Sequence, residues 1–279
     1  MDLQYEVLVT EPIRQNVSER VPNGDVRTWS PMSTTIIYGE NEAILVDPQF
    51  TYDQGREVAS WAASFGRKIT HIYVTHGHGD HWLAAPIVQS VHRDAKLVAT
   101  RGTAQRMREQ LSVPIREGVW EKLFPGQIPL DQHAPEIVSG PLFLDEHELL
   151  PVEVGHADSD DSTVLWVPSI RLAVAGDVVY NGVHQFLGEA REGGRDAWRR
   201  ALRIVKDLQP RNVVSGHKAA GAADDAADID RTREYLDQVD HLLRSGKSRK
   251  ELFEAMLQLY PDHLNPGALW GGSAALFER

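Results

Sequence analysis

The sequence predicts an α/β fold: a four-layer sandwich of two sheets packed face to face, with helices outside and a helical C-terminal tail. Three observations predict it. Short apolar runs bounded by turn residues alternate with stretches of helical composition. That order occurs twice along the chain, and from about Asp224 only helical patterns remain.

The elements follow in order. Gln4–Thr10 (QYEVLVT) reads as a strand, and Thr34–Tyr38 with Ala43–Val46 as a hairpin around Gly39-Glu40-Asn41-Glu42. Thr51–Phe65 has helical composition and stops before Gly66. Ile69–Val74 returns as a strand. His81–Val91 reads as a helix with Pro86 confined to its first turns. Lys96–Ala99 is a short strand, and Gly102–Leu111 and Glu117–Phe124 are helices ahead of the Pro-rich stretch Pro125–Pro141. Residues 102–141 fit the sheet pattern poorly and are expected to form a lid or substrate-facing insertion. Strands resume at Leu142–Leu144, Val152–Val154, Val164–Val167 and Leu172–Ala175. A helix over Ala197–Leu208 and a last strand, Asn212–Val214, follow. The tail reads as helices Asp228–Leu243 and Arg249–Leu259 and a piece from Ala268. No composition shift marks a second domain. Residues 1–223 are expected to form the main domain and residues 224–279 a helical extension docked on the same core.

Composition removes several function classes. The 279 residues carry 29 Lys+Arg against 40 Asp+Glu, a formal net charge of −11. That balance argues against a nucleic-acid partner, which needs a basic face to displace counterions. With 42% hydrophobic and 25% charged residues the chain reads as soluble and globular. There are no cysteines, hence no disulfides, thiolate metal sites or thiol nucleophiles. The N-terminal MDLQYEVLVTEP has no apolar run of signal-peptide length. No stretch approaches the roughly 18 apolar residues of a membrane span. A cytoplasmic location and no membrane partner are the expectations, although a trimmed chain would read the same.

The chemistry concentrates in Thr75-His76-Gly77-His78-Gly79-Asp80-His81, directly after a predicted strand. Imidazole nitrogen and carboxylate oxygen are the usual zinc donors where thiolate is absent. The two glycines let a tight loop turn several side chains toward one centre. This loop alone is incomplete as a site. Three further donors each follow an apolar run ending in glycine: His156 after Val152–Gly155, Asp177 after Leu172–Gly176, and His217 after Val213–Gly216.

This pattern resembles the HxHxDH signature of the metallo-β-lactamase-fold hydrolases, with later donors in the family's order of His, Asp, His. The resemblance spans about residues 30–220. It is closest in site pattern to lactonase- and glyoxalase II-like members. The Cys-containing β-lactamases have a thiolate where this chain has Asp177. The resemblance implies a dinuclear site: His76, His78 and His156 on one metal, Asp80, His81 and His217 on the other, and Asp177 bridging. The cofactors would be two divalent ions, zinc by the donor chemistry, with iron, manganese or cobalt also accepted by such donors. Asp47, at the end of AILVDP, matches the family's acid beneath the ligand loop and would orient ligands; otherwise it is a strand-ending turn residue.

The implied charges leave a small net positive charge on two divalent ions, two carboxylates and a hydroxide, which suits an anionic transition state. The metals would lower the pKa of water, and Asp80 would relay a proton to the leaving group. Tyr180, three residues after Asp177, matches a position that faces the substrate carbonyl in acyl-homoserine-lactone lactonases. A phenol there would stabilise an oxyanion; the alternative is a packing tyrosine. The segment His156-Ala157-Asp158-Ser159-Asp160-Asp161-Ser162 departs from the family's common His-Thr-Pro-Gly. Its acids are expected to cap the next strand or form Asx turns, with a role in substrate or metal access as the alternative.

Trp29, Trp82, Trp120, Phe124, His184 and Phe186, with Met32, are candidates for an aromatic pocket rim suited to an apolar substrate. Each is also an ordinary packing residue. Lys218 is expected to be solvated, and the acidic run Ala222–Asp230 to start a helix. The leading function is hydrolysis of a small ester, lactone or thioester, with a small-molecule substrate as partner. Its alternatives are β-lactam or phosphodiester hydrolysis, mononuclear iron dioxygenase chemistry, and a non-catalytic metal-stabilised binding protein. A homodimer is compatible with the sequence.

Overall fold

The computed structural model describes residues 2–191 and 193–277. The chain opens with β1 (Gln4–Thr10) and a small ribbon, β2 (Ile13–Arg14) and β3 (Thr28–Trp29). Next come the hairpin β4 (Met32–Tyr38) and β5 (Glu42–Val46), then α1 (Tyr52–Ser64), β6 (Lys68–Tyr73), α2 (Ala85–Val91) and β7 (Lys96–Ala99). Helix α3 (Arg101–Gln110), the turn α4 (Val113–Ile115) and β8 (Glu136–Ile137) complete this half. The second half runs β9 (Leu142–Leu144), β10 (His147–Gly155), β11 (Ser162–Val167), β12 (Leu172–Asn181), α5 (Gly194–Asp207) and β13 (Asn212–Lys218). Helices α6 (Asp228–Arg244), α7 (Arg249–Leu259) and α8 (Pro266–Phe277) follow.

Two sheets result, ordered β1-β4-β5-β6-β7-β8 and β13-β12-β11-β10-β9. Their packing follows from the strand period of two. Ile37, Ile44, Val46 and Tyr73 of one sheet meet Leu165, Val167, Leu172, Val174 and Val214 of the other in a central core. The alternate residues Ile36, Ala43, Leu45 and Ile72 face α1, α2 and α3. Val164, Trp166, Ala173, Ala175 and Val213 face the second helical layer. These strands are therefore apolar on both faces, as strands covered on both sides must be. Each fully buried Leu, Ile or Val contributes about 1.5–3 kcal/mol relative to exposure.

The tail helices join that second layer. Tyr235, Leu236 and Val239 of α6, Leu252, Phe253 and Met256 of α7, and Leu269 of α8 share one apolar cluster with β12 and α5. Among the described residues no helix is long and apolar enough to cross a membrane.

Local chemistry sets the element ends. Thr51 caps α1, reciprocated by Gln54, and Gly66 ends the turn beyond it at φ +62°. The structure differs from the sequence expectation in four places. The helix expected from His81 begins at Ala85, after a short helical turn at Gly79–His81, because His81 is tied to Asp47 rather than free to propagate a helix. Pro86 sits in the first turn of α2, where its missing N–H costs nothing. The helix expected over Glu117–Phe124 is present, but its main part, Arg116–Glu121, is wound as a π-helix. Strands β12 and β13 continue through Asp177, Tyr180 and His217 instead of stopping before them. The cause is a break in register at Gly176, whose φ of +50° kinks β12 without ending it.

Candidate metal centre

The site lies at the carboxyl ends of the parallel strands, where crossover folds leave a crevice. The loop after β6 delivers His76, His78, Asp80 and His81. β12 delivers Asp177 and Tyr180, and β13 delivers His217 directly opposite Tyr180 in the strand pairing. The approach is close enough that a Cβ on Gly216 would lie 2.3 Å from Asp177 Oδ1 and 2.7 Å from His81 Cε1. Only glycine fits there.

Two sets of donors converge. Asp80, His81 and His217 form an inner group, and His76, His78 and Asp158 an outer one; Asp177 groups with His76 and His81 between them. In the inner group His217 Nε2 lies 3.3 Å from Asp80 Oδ2 and 3.2 Å from Asp177 Oδ2, and His81 Nε2 lies 3.3 Å from Asp177 Oδ1. In the outer group His78 Nδ1 lies 3.0 Å from Asp158 Oδ2, and His76 Nε2 lies 3.8 Å from Asp158 Oδ1.

Each imidazole is held by its other nitrogen. His81 Nδ1 pairs with Asp47 Oδ2 at 2.9 Å, His217 Nδ1 with the Pro31 carbonyl at 3.0 Å, and His76 Nδ1 with Thr75 Oγ1 at 3.1 Å. His78 Nε2 meets Glu189 Oε1 at 2.9 Å. Such partners fix tautomer and ring orientation for a ligand. Asp47 sits beneath the loop and also accepts from Thr75 N and Thr75 Oγ1, at 2.9 and 2.7 Å. Trp29 Nε1 donates to Asp80 Oδ2, and the Tyr180 hydroxyl to Asp177 Oδ2, each at 2.9 Å.

The free atoms are the decisive ones. His76 Nε2, His81 Nε2, both Asp158 oxygens and Asp177 Oδ1 are buried without an aligned hydrogen bond among the described residues, and so is His156 Nε2 at the edge of the cluster. Buried polar atoms left this way are costly. Nitrogen and carboxylate donors facing one another at these distances are what a divalent cation satisfies.

Electrostatics agrees. Burial opposes charge throughout the cluster. At His81 the carboxylates Asp177, Asp80 and Asp47 outweigh it and raise the pKa well above the ordinary value. His217 is likewise depressed by burial but raised on balance to about 10 by Asp177 and Asp80. His76 is held well below its ordinary value by burial and by His81. Burial pushes the Asp158 carboxyl up to about 6 against the pull of His78. Without a cation the inner histidines therefore hold protons that a metal would have to displace.

A cavity of about 300 Å³ opens over the cluster. Asp80, Asp177, Tyr180 and His217 line its floor; Trp29, Ile115, Val119, Trp120 and Phe186 line its walls, with Gly267, Ala268 and Gly271 of α8. Residues 102–141 thus contribute Ile115, Val119 and Trp120, and the tail contributes a wall.

Several expected positions fall elsewhere. His156 is not grouped with the other donors: its Nδ1 pairs with Asp160 Oδ1 at 2.7 Å. Trp82 is buried beneath the loop, donating to the Gly77 carbonyl. Phe124 packs on Phe50 and Trp29 behind the wall. His184 is buried in the tail layer with Nδ1 on the Tyr235 hydroxyl. Met32 belongs to the core under α1. Lys218 is buried and paired with Asp224, not solvated. The expected oxyanion role of Tyr180 meets a hydroxyl already donated to Asp177. Asp158 stood among acids expected first to cap or turn, with substrate or metal access as the alternative, and Glu189 has no local signal at all.

A sequence profile of the metallo-β-lactamase superfamily matches residues 27–217. No curated protein sequence matches. Among solved structures, a metallo-β-lactamase from Pontibacter korlensis is 17% identical with a TM-score of 0.60, covering 84% of this chain and 99% of its own. A metallo-β-lactamase family protein from Thermus thermophilus is 17% identical with a TM-score of 0.64, covering 96% of this chain and 91% of its own. The chain belongs to the metallo-β-lactamase superfamily.

Proposed function

We infer that this chain is a dinuclear metal-dependent hydrolase of a small ester, lactone or thioester with an apolar body. The observation that carries the reading is the pair of His/Asp donor groups on either side of Asp177, at the floor of one apolar-walled cavity. Bound divalent ions supply a nucleophile from water near neutral pH and polarise the scissile carbonyl.

The chain's own residues do the rest. His76 and His78 on one side, and Asp80, His81 and His217 on the other, would hold the ions, with Asp177 between the two groups. Asp47, Glu189, Thr75 and the Pro31 carbonyl keep the rings aimed. Asp80 reaches the cavity, and Trp29 holds its Oδ2 in place; it is the carboxylate placed to take a proton from the attacking water and pass that proton to the departing oxygen or sulfur. Tyr180 keeps Asp177 from rotating, and it is freed as an oxyanion donor only if that bond opens. Trp29, Trp120, Ile115 and Phe186 exclude water and bind the apolar part of the substrate.

The test is a hydrolysis panel on purified chain: an aryl ester, lactones of increasing chain length, a thioester, a cephalosporin and a phosphodiester. Turnover of the carbonyl substrates that disappears on chelation and returns with metal supports the reading. Turnover confined to the cephalosporin or phosphodiester moves the substrate class. No turnover by metal-loaded chain contradicts it.

A further inference from the structure

The loop His156–Ser162 carries one histidine and three acids, and the fold sorts them. Asp160 and Asp161 lie outward, clamped at 3.0 and 3.1 Å by Arg106 of α3. His156 goes with them. Its Nδ1 meets Asp160, and its Nε2, buried without an aligned hydrogen bond among the described residues, is turned toward the start of α5, where a Cβ on Gly194 would sit 3.0 Å away, and not into the group formed by His76, His78 and Asp158. Asp158 points the other way. Its side chain is 1% exposed, and its two oxygens face His78 Nδ1 and His76 Nε2.

The backbone explains the division. Gly155, at φ +82°, lies at a register break between β10 and β11, which rotates the strand end. Ala157 N then bonds the Ser159 carbonyl at 2.9 Å in a tight turn, with His156 on Asp160 on one side of it and Asp158 facing His76 and His78 on the other.

We propose that Asp158, and not His156, is the third protein donor to the metal held by His76 and His78; this rests on the dinuclear reading above. The carboxylate is buried with neither oxygen in an aligned hydrogen bond among the described residues. A buried acid in that condition is costly unless a cation meets it. His78 is already oriented for the same ion, with Nε2 on Glu189 and Nδ1 beside Asp158. Two imidazoles and a carboxylate make a harder set than three imidazoles. The third carboxylate also lowers the positive charge of the loaded site by one. Both changes move metal preference toward manganese and iron relative to an all-imidazole site.

The test counts metal per chain by plasma mass spectrometry, after loading wild type, H156Q and D158N with Zn²⁺ or Mn²⁺ and removing the excess. The expected result is two ions in wild type and H156Q and one in D158N, with circular dichroism melting showing all three folded. Loss of an ion in H156Q overturns the proposal, as does retention of two in D158N. Should D158N fail to fold, H156Q still decides by keeping or losing its second ion. A wild-type chain that holds fewer than two ions marks failure of the dinuclear reading itself, and the proposal falls with it.

Discussion

The inner and outer halves of the donor cluster are built differently. Asp80, His81 and His217 are all buried at the cavity floor, and each inner imidazole faces carboxylates while its other nitrogen rests on Asp47 or the Pro31 carbonyl. The outer half has His78 partly exposed, held from outside by Glu189, a residue that itself faces solvent. Its acid, Asp158, sits on a loop rather than a strand. The inner half is fixed by His217 on β13 and by Asp47, which ties the loop and His81 down from beneath. The open half is fixed by loop contacts that substitution or ligand entry can move.

The largest expected effect breaks the enclosed half. Gly216→Ala puts a methyl group within 2.3 Å of Asp177 Oδ1, so the inner donors must separate. We expect loss of inner-site metal and of metal-dependent turnover, with an overpacking cost of about 1–3 kcal/mol. Metal counting and thermal melting check it, and unchanged loading would show that the enclosed half is not rigid.

Next come the two orienting acids. Asp47 makes three bonds around the ligand loop, whereas Glu189 makes one to His78. Removing such partners costs about 10–100-fold in metal affinity. Asp47→Asn should fall at the upper end and Glu189→Gln at the lower. Competition titration against a chromophoric chelator measures both, and the reverse order would invert the comparison.

Metal removal gives a third effect. At a thousandfold excess over Kd, bound ions stabilise the fold by about 4 kcal/mol each. Chelation should therefore lower Tm by several degrees, and readdition should restore it. A Tm indifferent to chelator would mean that the buried carboxylates are satisfied without cations.

The effect smallest at neutral pH lies in the tail layer. His184 is pushed down from 6.5 to about 3 by burial and by neighbouring His263. Its folded pKa lies below its unfolded one, so the unfolded chain binds the proton more tightly. The stability it contributes is complete above pH 6.5 and is lost as pH falls toward 3. The slope is at most about 1.4 kcal/mol per pH unit. Chemical denaturation of wild type and His184→Gln across that window should show a flatter acid limb in the variant; parallel curves would assign the acid sensitivity elsewhere.

The same contrast governs what was legible in the sequence. The two-sheet order could be read because β4, β5, β11 and β12 are apolar on both faces and bounded by turn residues. The inner donors could be read because Asp177 and His217 follow apolar runs ending in glycine, and those glycines are required by close approach. In the outer half His76 and His78 could be read from the same loop, but the third donor could not. His156 has the same strand–Gly–His context, but a register break and a turn at Ala157 send it outward. Asp158 becomes the inward residue through tertiary contacts of Asp160 and Asp161 with Arg106, far away in sequence. Trp82 failed as a cavity residue because adjacency to His81 in sequence does not set which face of the loop a ring takes, and Phe124 and His184 because Phe50 and Tyr235, distant in sequence, draw them into packing layers.

The most direct measurement is an anomalous-scattering map at the metal absorption edge, from crystals of the metal-loaded chain. Two peaks flanking Asp177 are expected, one among Asp80, His81 and His217 and one among His76, His78 and Asp158. A single peak, or an outer peak beside His156 with Asp158 turned away, would contradict the two-ion assignment made above.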